Sequence, residues 1–168
     1  MHHELPLGFI YDTEVWRQGQ LVSEQRNVNL IPQVGVDYLA NVIRGSATLI
    51  TTWHVGIFEG NFVPVDGTTA TDLPSNAQES VAYDEALRPT WAGVYDGVSI
   101  ISNAASRATF TMTADKTIFG GFLIASPTKG GNTGTLFSMS RFSTAEELKT
   151  QDEFRITIGI GIVPTSIF

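Results

Sequence analysis

Glu153-Phe154-Arg155-Ile156-Thr157-Ile158-Gly159-Ile160-Gly161-Ile162 decides the fold. Phe154, Ile156, Ile158, Ile160 and Ile162 share one face at period two, while Glu153, Arg155, Thr157 and Gly159 share the other. That is the pattern of a β-strand with one face in a core and one face outside it. Gly159 and Gly161 stand opposite the isoleucines, where they predict either a bulge or bend or the close approach of another backbone or a neighbouring subunit.

The same alternation recurs upstream. Trp53, Val55 and Ile57 alternate with Thr52, His54 and Gly56, and further strands are predicted over 98–101, 108–113, 117–125 and 135–142. Glu59-Gly60-Asn61 and Lys129-Gly130-Gly131-Asn132-Thr133-Gly134 read as turns. Near the start, Phe9, Tyr11, Thr13 and Val15 alternate up to the turn Arg17-Gln18-Gly19-Gln20, after which Leu21-Val22 begins a return strand. Residues 1–28 are therefore expected to form a hairpin that projects as an arm. One helix is predicted behind Pro32, with Val36, Leu39, Ala40 and Ile43 at helical spacing and Gly45 as its stop. A short helical turn is expected from Ser75 to Ser80, with Ser75 as its cap. Residues 61–73, with Pro64 and Asp66-Gly67, read as a long surface loop.

Short strands at roughly ten-residue spacing, broken by Gly, Asn and Pro turns, predict an all-β chain with one helix near its N-terminal third. The expected architecture is an antiparallel β-sandwich, jelly-roll-like, formed as one domain over residues 1–168.

Composition narrows the function. The chain has no Cys, which excludes disulfides, thiolate metal sites and a Cys nucleophile. Ten basic residues against 17 acidic ones give a charge of −7, which repels phosphate backbones and argues against nucleic acid as a partner. The opening Met1-His2-His3-Glu4-Leu5-Pro6 has no cationic region followed by an apolar run, and no stretch approaches the ~18 apolar residues of a membrane span. A soluble chain without an export signal or membrane partner is expected. Only 16% of residues are charged, against about 25% in an ordinary soluble domain, which suggests surface hidden in contacts.

Catalytic readings lack convergent groups. His54 is the one histidine inside a predicted element, and opposite Trp53 and Val55 it is expected to face solvent or an interface. Met1-His2-His3 offers nitrogen ligands for Cu²⁺ or Ni²⁺ but is equally an ordinary chain start. Glu146-Glu147 and Asp152-Glu153 are carboxylate pairs of the kind a glycosidase or a Ca²⁺ site uses, yet adjacent acids are usually a solvated face. No catalytic residue, metal or cofactor is called for. The aromatics carry more information, and Trp16, Phe62, Trp91 and Tyr95 are the candidate interface residues.

The chain also resembles, over most of its length, the small virion proteins of tailed bacteriophages described as head cement, decoration or minor structural proteins. The likeness rests on Thr52-Trp53-His54-Val55-Gly56-Ile57-Phe58 leading into Gly60-Asn61, and on Ala82-Tyr83-Asp84-Glu85-Ala86 followed by Arg88-Pro89. Ser102-Asn103-Ala104 leading to Ala108-Thr109-Phe110, Gly120-Gly121-Phe122-Leu123 and Gly134-Thr135-Leu136-Phe137-Ser138 extend it. The resemblance implies a homo-oligomer, trimer ahead of dimer, that binds the major capsid protein on the capsid exterior after synthesis in the host cytoplasm. It would clamp neighbouring capsomers, with residues 9–28 and 61–73 reaching adjacent subunits. A tail-associated carbohydrate- or receptor-binding β-sandwich with Trp91 and Tyr95 exposed is the second expectation, and a carboxylate glycosidase the third.

Overall fold

The computed structural model describes residues 8–162. Along them run β1 (Phe9–Arg17), β2 (Gln20–Val28), α1 (Gln33–Ile43), β3 (Trp53–Phe58), α2 (Asp72–Ser75) and β4 (Thr90–Trp91). They continue with β5 (Val94–Tyr95), β6 (Ile100–Ser102), β7 (Ala108–Thr111), β8 (Lys116–Ile124), β9 (Leu136–Leu148) and β10 (Glu153–Gly161). Met1-His2-His3 lies outside the described residues.

The strands form two antiparallel sheets packed as a sandwich. The first has the order β2-β1-β10-β6-β5, with β7 also paired to β10, and the second has the order β4-β3-β8-β9. The first and last strands are neighbours, and the β1–β2 and β8–β9 hairpins each stay within one sheet. Phe154, Ile156, Ile158 and Ile160 of β10 point inward, as their alternation requires, and meet Tyr11, Val55, Ile57, Phe110 and Phe142. Full burial of each such side chain contributes about 1.5–3 kcal/mol.

The hairpin of residues 9–28 does not project. β1 is an interior strand, paired with β10 from Phe9↔Ile160 to Trp16↔Glu153 on one side and with β2 on the other. Its alternation had the same cause as that of β10: Phe9, Tyr11, Thr13 and Val15 are all buried. The free edge of β2 is tied to β9 by side chains, with Ser143 N–H donating to Asn27 Oδ1 at 2.7 Å and Gln25 Nε2 donating to Thr144 O at 2.9 Å.

The connecting turn places Gln18 at φ 51° and Gly19 at φ 77°. Two consecutive left-handed residues make the type I′ hairpin that matches strand twist, and asparagine tolerates the first position better than glutamine. Gln18→Asn is therefore expected to raise stability by about 0.5 kcal/mol, within the range of ordinary surface effects. An unchanged or lowered unfolding midpoint in urea would contradict this.

The helix forms where predicted but turns another face inward. Gly35 is its buried residue, and a Cβ there would sit 2.6 Å from Phe137 O, so the helix rides directly on the β9 backbone. Val34 and Tyr38 pack toward the interior. The stripe read from the sequence instead leaves Val36 44% and Ile43 79% exposed. Helical spacing identifies a stripe but not what covers it.

Residues 59–89 correct two further expectations. The expected loop folds back over the outside of the second sheet, where Ala70, Leu73 and Ala77 form a second core with Phe58, Phe122, Ile124 and Met139. The short helix falls at Asp72–Ser75, ahead of the predicted turn, and Gln78 at φ 55° ends helical geometry there. β3 is thus buried on both faces. His54 is consequently covered rather than solvent-facing, with Nδ1 3.3 Å from Arg88 O.

Arg88 fastens this flap. Its guanidinium donates to both carboxylate oxygens of Glu79 at 2.8 and 2.6 Å and to Ser126 O and Gly131 O at 3.0 and 2.9 Å. Both charged side chains are fully buried. Glu79 also accepts from Gly130 N, and Lys129 Nζ donates to Tyr83 O and Glu85 O. The glycine-rich turn after β8 is therefore one half of a clasp.

Burial, the largest cause, lowers the pKa of His54, and the Arg88 charge acts in the same direction. The unfolded chain then takes the proton first, so stability falls as pH drops below about 6.5. Asp152 is held low chiefly by the Arg17 hydrogen bond, so its contribution is present above about pH 4 and lost as pH falls further. Acidification should lower the unfolding midpoint in these two windows, with His54→Gln removing the upper one. A wild-type midpoint that is flat between about pH 7 and 5 would contradict the His54 assignment.

Candidate docking face

The outward positions of the first sheet are set by β10 and its neighbours. Register places Val28, Ile10, Gly159, Ser102 and Val94 side by side on β2, β1, β10, β6 and β5. The adjacent position pairs Gly161 with Ile100. This end of the face is apolar and nearly free of long side chains on β10. Ile10, Val28, Val94 and Ile100 are 42%, 79%, 60% and 46% exposed. Single exposed apolar residues are ordinary, whereas Val28, Ile10, Ile100 and Val94 gather around Gly159 and Ser102 into an apolar cluster of the kind found at interaction surfaces.

Toward the other end the face becomes ionic. Arg26 pairs with Asp12 at 2.7 Å, Arg107 with Glu14 at 2.8 Å and Arg155 with Glu153 at 2.6 Å. Exposed pairs of this kind contribute about 0–1 kcal/mol each, so their role is to set the charge of the face rather than to hold the fold.

The four aromatic candidates do not come together. Trp16 lies at the ionic end, with its Nε1–H bonded to Glu14 at 2.6 Å and the Arg155 guanidinium 4.7 Å from its ring. Phe62, within the flap, packs partly buried against the second core. Trp91 donates from Nε1 to Ile158 O at 2.9 Å, and its ring packs against Gly93, where a Cβ would come within 2.5 Å. Tyr95 is 55% exposed on β5, but as the strand neighbour of Val94 it projects to the opposite side of the sheet from the apolar row. The sequence reading missed Ile10, Val28, Val94 and Ile100 because their adjacency depends on register. Gly159 and Gly161 were the visible signal.

The carboxylate pairs have structural partners. Asp152 is buried against Arg17 at 2.7 Å and accepts from Lys149 N, while Glu146 is buried and accepts from Gln25. Glu147 accepts from Thr117. Among the described residues no cluster of three or more His, Cys, Asp or Glu is placed to hold a metal ion.

The sequence matches no protein-family model and no curated protein. The functional reading therefore rests on the molecule itself. Among the described residues a second apolar surface also stays uncovered: the outward stripe of α1, with Val36 and Ile43. On its inner side α1 is joined to the core edge-to-face, Tyr38 meeting Phe137 at 6.1 Å and Phe137 meeting Phe9 at 5.0 Å. Leu49, 67% exposed, follows the helix there.

Proposed function

We propose that this chain is a structural virion protein of a tailed phage, binding the outside of the capsid as a homo-oligomer and cementing or decorating neighbouring capsomers. The observation that carries the reading is the pair of uncovered apolar surfaces on different elements, the row across the first sheet and the stripe of α1. A cementing protein needs two contacts, one with its own copies and one with the shell. The low charge and the sequence resemblance point the same way.

The physics is mass action. A protein that binds only the assembled shell stabilises it by RT ln(1 + [L]/Kd), about 4 kcal/mol at a thousandfold excess over Kd. An oligomer engaging several capsomers at once adds avidity without new contact types. The competing expectation of a sugar- or receptor-binding module needs Trp91 and Tyr95 as an open platform, and Trp91 has its N–H and one ring face committed within the chain.

The test is co-sedimentation of the purified protein with capsid shells that lack it. Saturable binding at a copy number compatible with shell symmetry is expected. Absence of binding, or binding that does not saturate, would overturn the proposal.

A further inference from the structure

Two aspartates of this chain are followed by glycine, in Asp66-Gly67 and Asp96-Gly97. A glycine amide has no side chain beside it and can close on the preceding carboxyl group. Both pairs are exposed, and a Cβ on either glycine would meet nothing within 4 Å, so neighbouring atoms shield neither of them. What separates the two is how the carboxylate is engaged.

Asp96 is held. Its Oδ1 accepts from the N–H groups of Val98, Ser99 and Ile100 at 2.8, 2.8 and 3.0 Å, and its own N–H donates to Ile100 O at 2.9 Å. The Ile100, Val98 and Ser99 donors keep its pKa below the usual carboxylate range. A carboxyl group is attacked in its protonated form, which can shed an oxygen as water, so a fixed and ionised Asp96 is a poor electrophile. Asp66 differs: its side chain has no hydrogen-bonding or ionic partner among the described residues. Its turn is closed by the backbone, with Thr68 N–H donating to Val65 O and Val65 N–H to Thr68 Oγ1, both at 2.9 Å.

We propose that Asp66-Gly67 is a site of spontaneous isomerisation to isoaspartate, and that the connection between β5 and β6 protects Asp96-Gly97 from the same reaction. In the first step Gly67 N bonds to Asp66 Cγ, the amide proton and the carboxyl hydroxyl leave as water, and a five-membered imide closes. In the second, water adds to the backbone carbonyl carbon of Asp66, whose bond to Gly67 N breaks. The chain then runs through Cβ and Cγ, and the former backbone carbonyl is a free carboxylate. Only water enters and leaves, so mass and charge are unchanged.

The position gives the reaction a structural consequence. Asp66 O accepts at 2.8 Å from the N–H of Gln33, the first residue of α1, so this turn pins the flap to the helix. Thr68, two residues on, is buried. The isomer inserts one more backbone atom between these two anchors, and the junction of flap and α1 loosens. This inference stands apart from the capsid reading.

The experiment ages the purified chain at neutral pH, folded and in urea, and reads isoaspartate by enzymatic methylation with chymotryptic peptide mapping. Cleavage after Phe62, Tyr83 and Tyr95 puts the two sites on different peptides. In the folded chain isoaspartate is expected at Asp66, with Asp96 slower by about tenfold or more, the scale of releasing hydrogen bonds to a charged group. In urea the two rates should converge, which assigns the difference to the fold. Gly67→Ala suits the open space and a backbone that is not left-handed, so it should fold as wild type and remove the Asp66 signal. The purified isomer should melt below fresh protein, and an isomer that melts alike overturns the loosening. Conversion at Asp96 as fast as at Asp66 in the folded chain, a difference that persists in urea, no isoaspartate at Asp66, or a signal unchanged in Gly67→Ala overturns the proposal.

Discussion

Arg88→Ala is expected to destabilise the chain by about 3–5 kcal/mol, because it removes one partner of a fully buried ion pair and strands the other. Glu79 would keep a buried carboxylate with only Gly130 N as a remaining donor, and Ser126 O and Gly131 O would lose theirs. The flap over the second sheet would then open at its last turn, exposing the second core. A typical domain has only about 5–15 kcal/mol of stability, so the variant should sit near the edge of folding. Replacing both charges with methionine should cost less than Arg88→Ala alone, since no unpaired charge remains. Urea unfolding of the two variants checks this. A single variant that loses under about 1 kcal/mol would mean the guanidinium is not the fastener.

The second large effect is expected at the crossed Gly–Phe pairs of β3 and β8. Register sets Gly56 opposite Phe122 and Phe58 opposite Gly120, so each ring lies over the other strand's glycine. In Gly120→Ala the new methyl would clash with Phe58 Cζ at 2.1 Å and also with the backbone oxygen of Ser140 at 2.2 Å, which no rotamer change relieves. A loss of about 3 kcal/mol or failure to fold is expected, at the upper end of overpacking costs. The three atoms that a methyl in Gly56→Ala would come closest to all belong to the Phe122 ring, a side chain that can give way, so about 1–3 kcal/mol is expected. Phe122→Leu should recover part of that loss and none of the loss at Gly120. Equal costs at the two glycines, with equal rescue, would refute this account of the pairs.

That pairing shows how far the sequence could be read. Gly56-Ile57-Phe58 and Gly120-Gly121-Phe122 are visible as motifs, but that they lie antiparallel with each ring over the other's glycine follows from register alone. β10 was legible because its alternation is uninterrupted and one face is wholly apolar. β1 carries the same signal, and its interior position could have been inferred from Phe9, Tyr11, Thr13 and Val15 without a structure. The flap was not legible: Ala70, Leu73 and Ala77 fall at helical spacing, but helix forms only over Asp72–Ser75, and nothing in so short a stretch says that it folds back onto Phe58 at the outer side of β3. For α1, the spacing of Val36, Leu39, Ala40 and Ile43 found the helix and misled about its buried side, because Gly35 allows a closer approach than a larger residue would. The docking face was half legible, its glycines apparent and its flanking residues assembled only by strand order.

The central claim is that this chain strengthens a shell by binding it, and the most direct measurement is the thermal rupture temperature of shells lacking the chain, with and without a saturating amount of added protein. The account predicts a clear rise in rupture temperature when the protein is bound. Shells that rupture at the same temperature with the protein bound would contradict it.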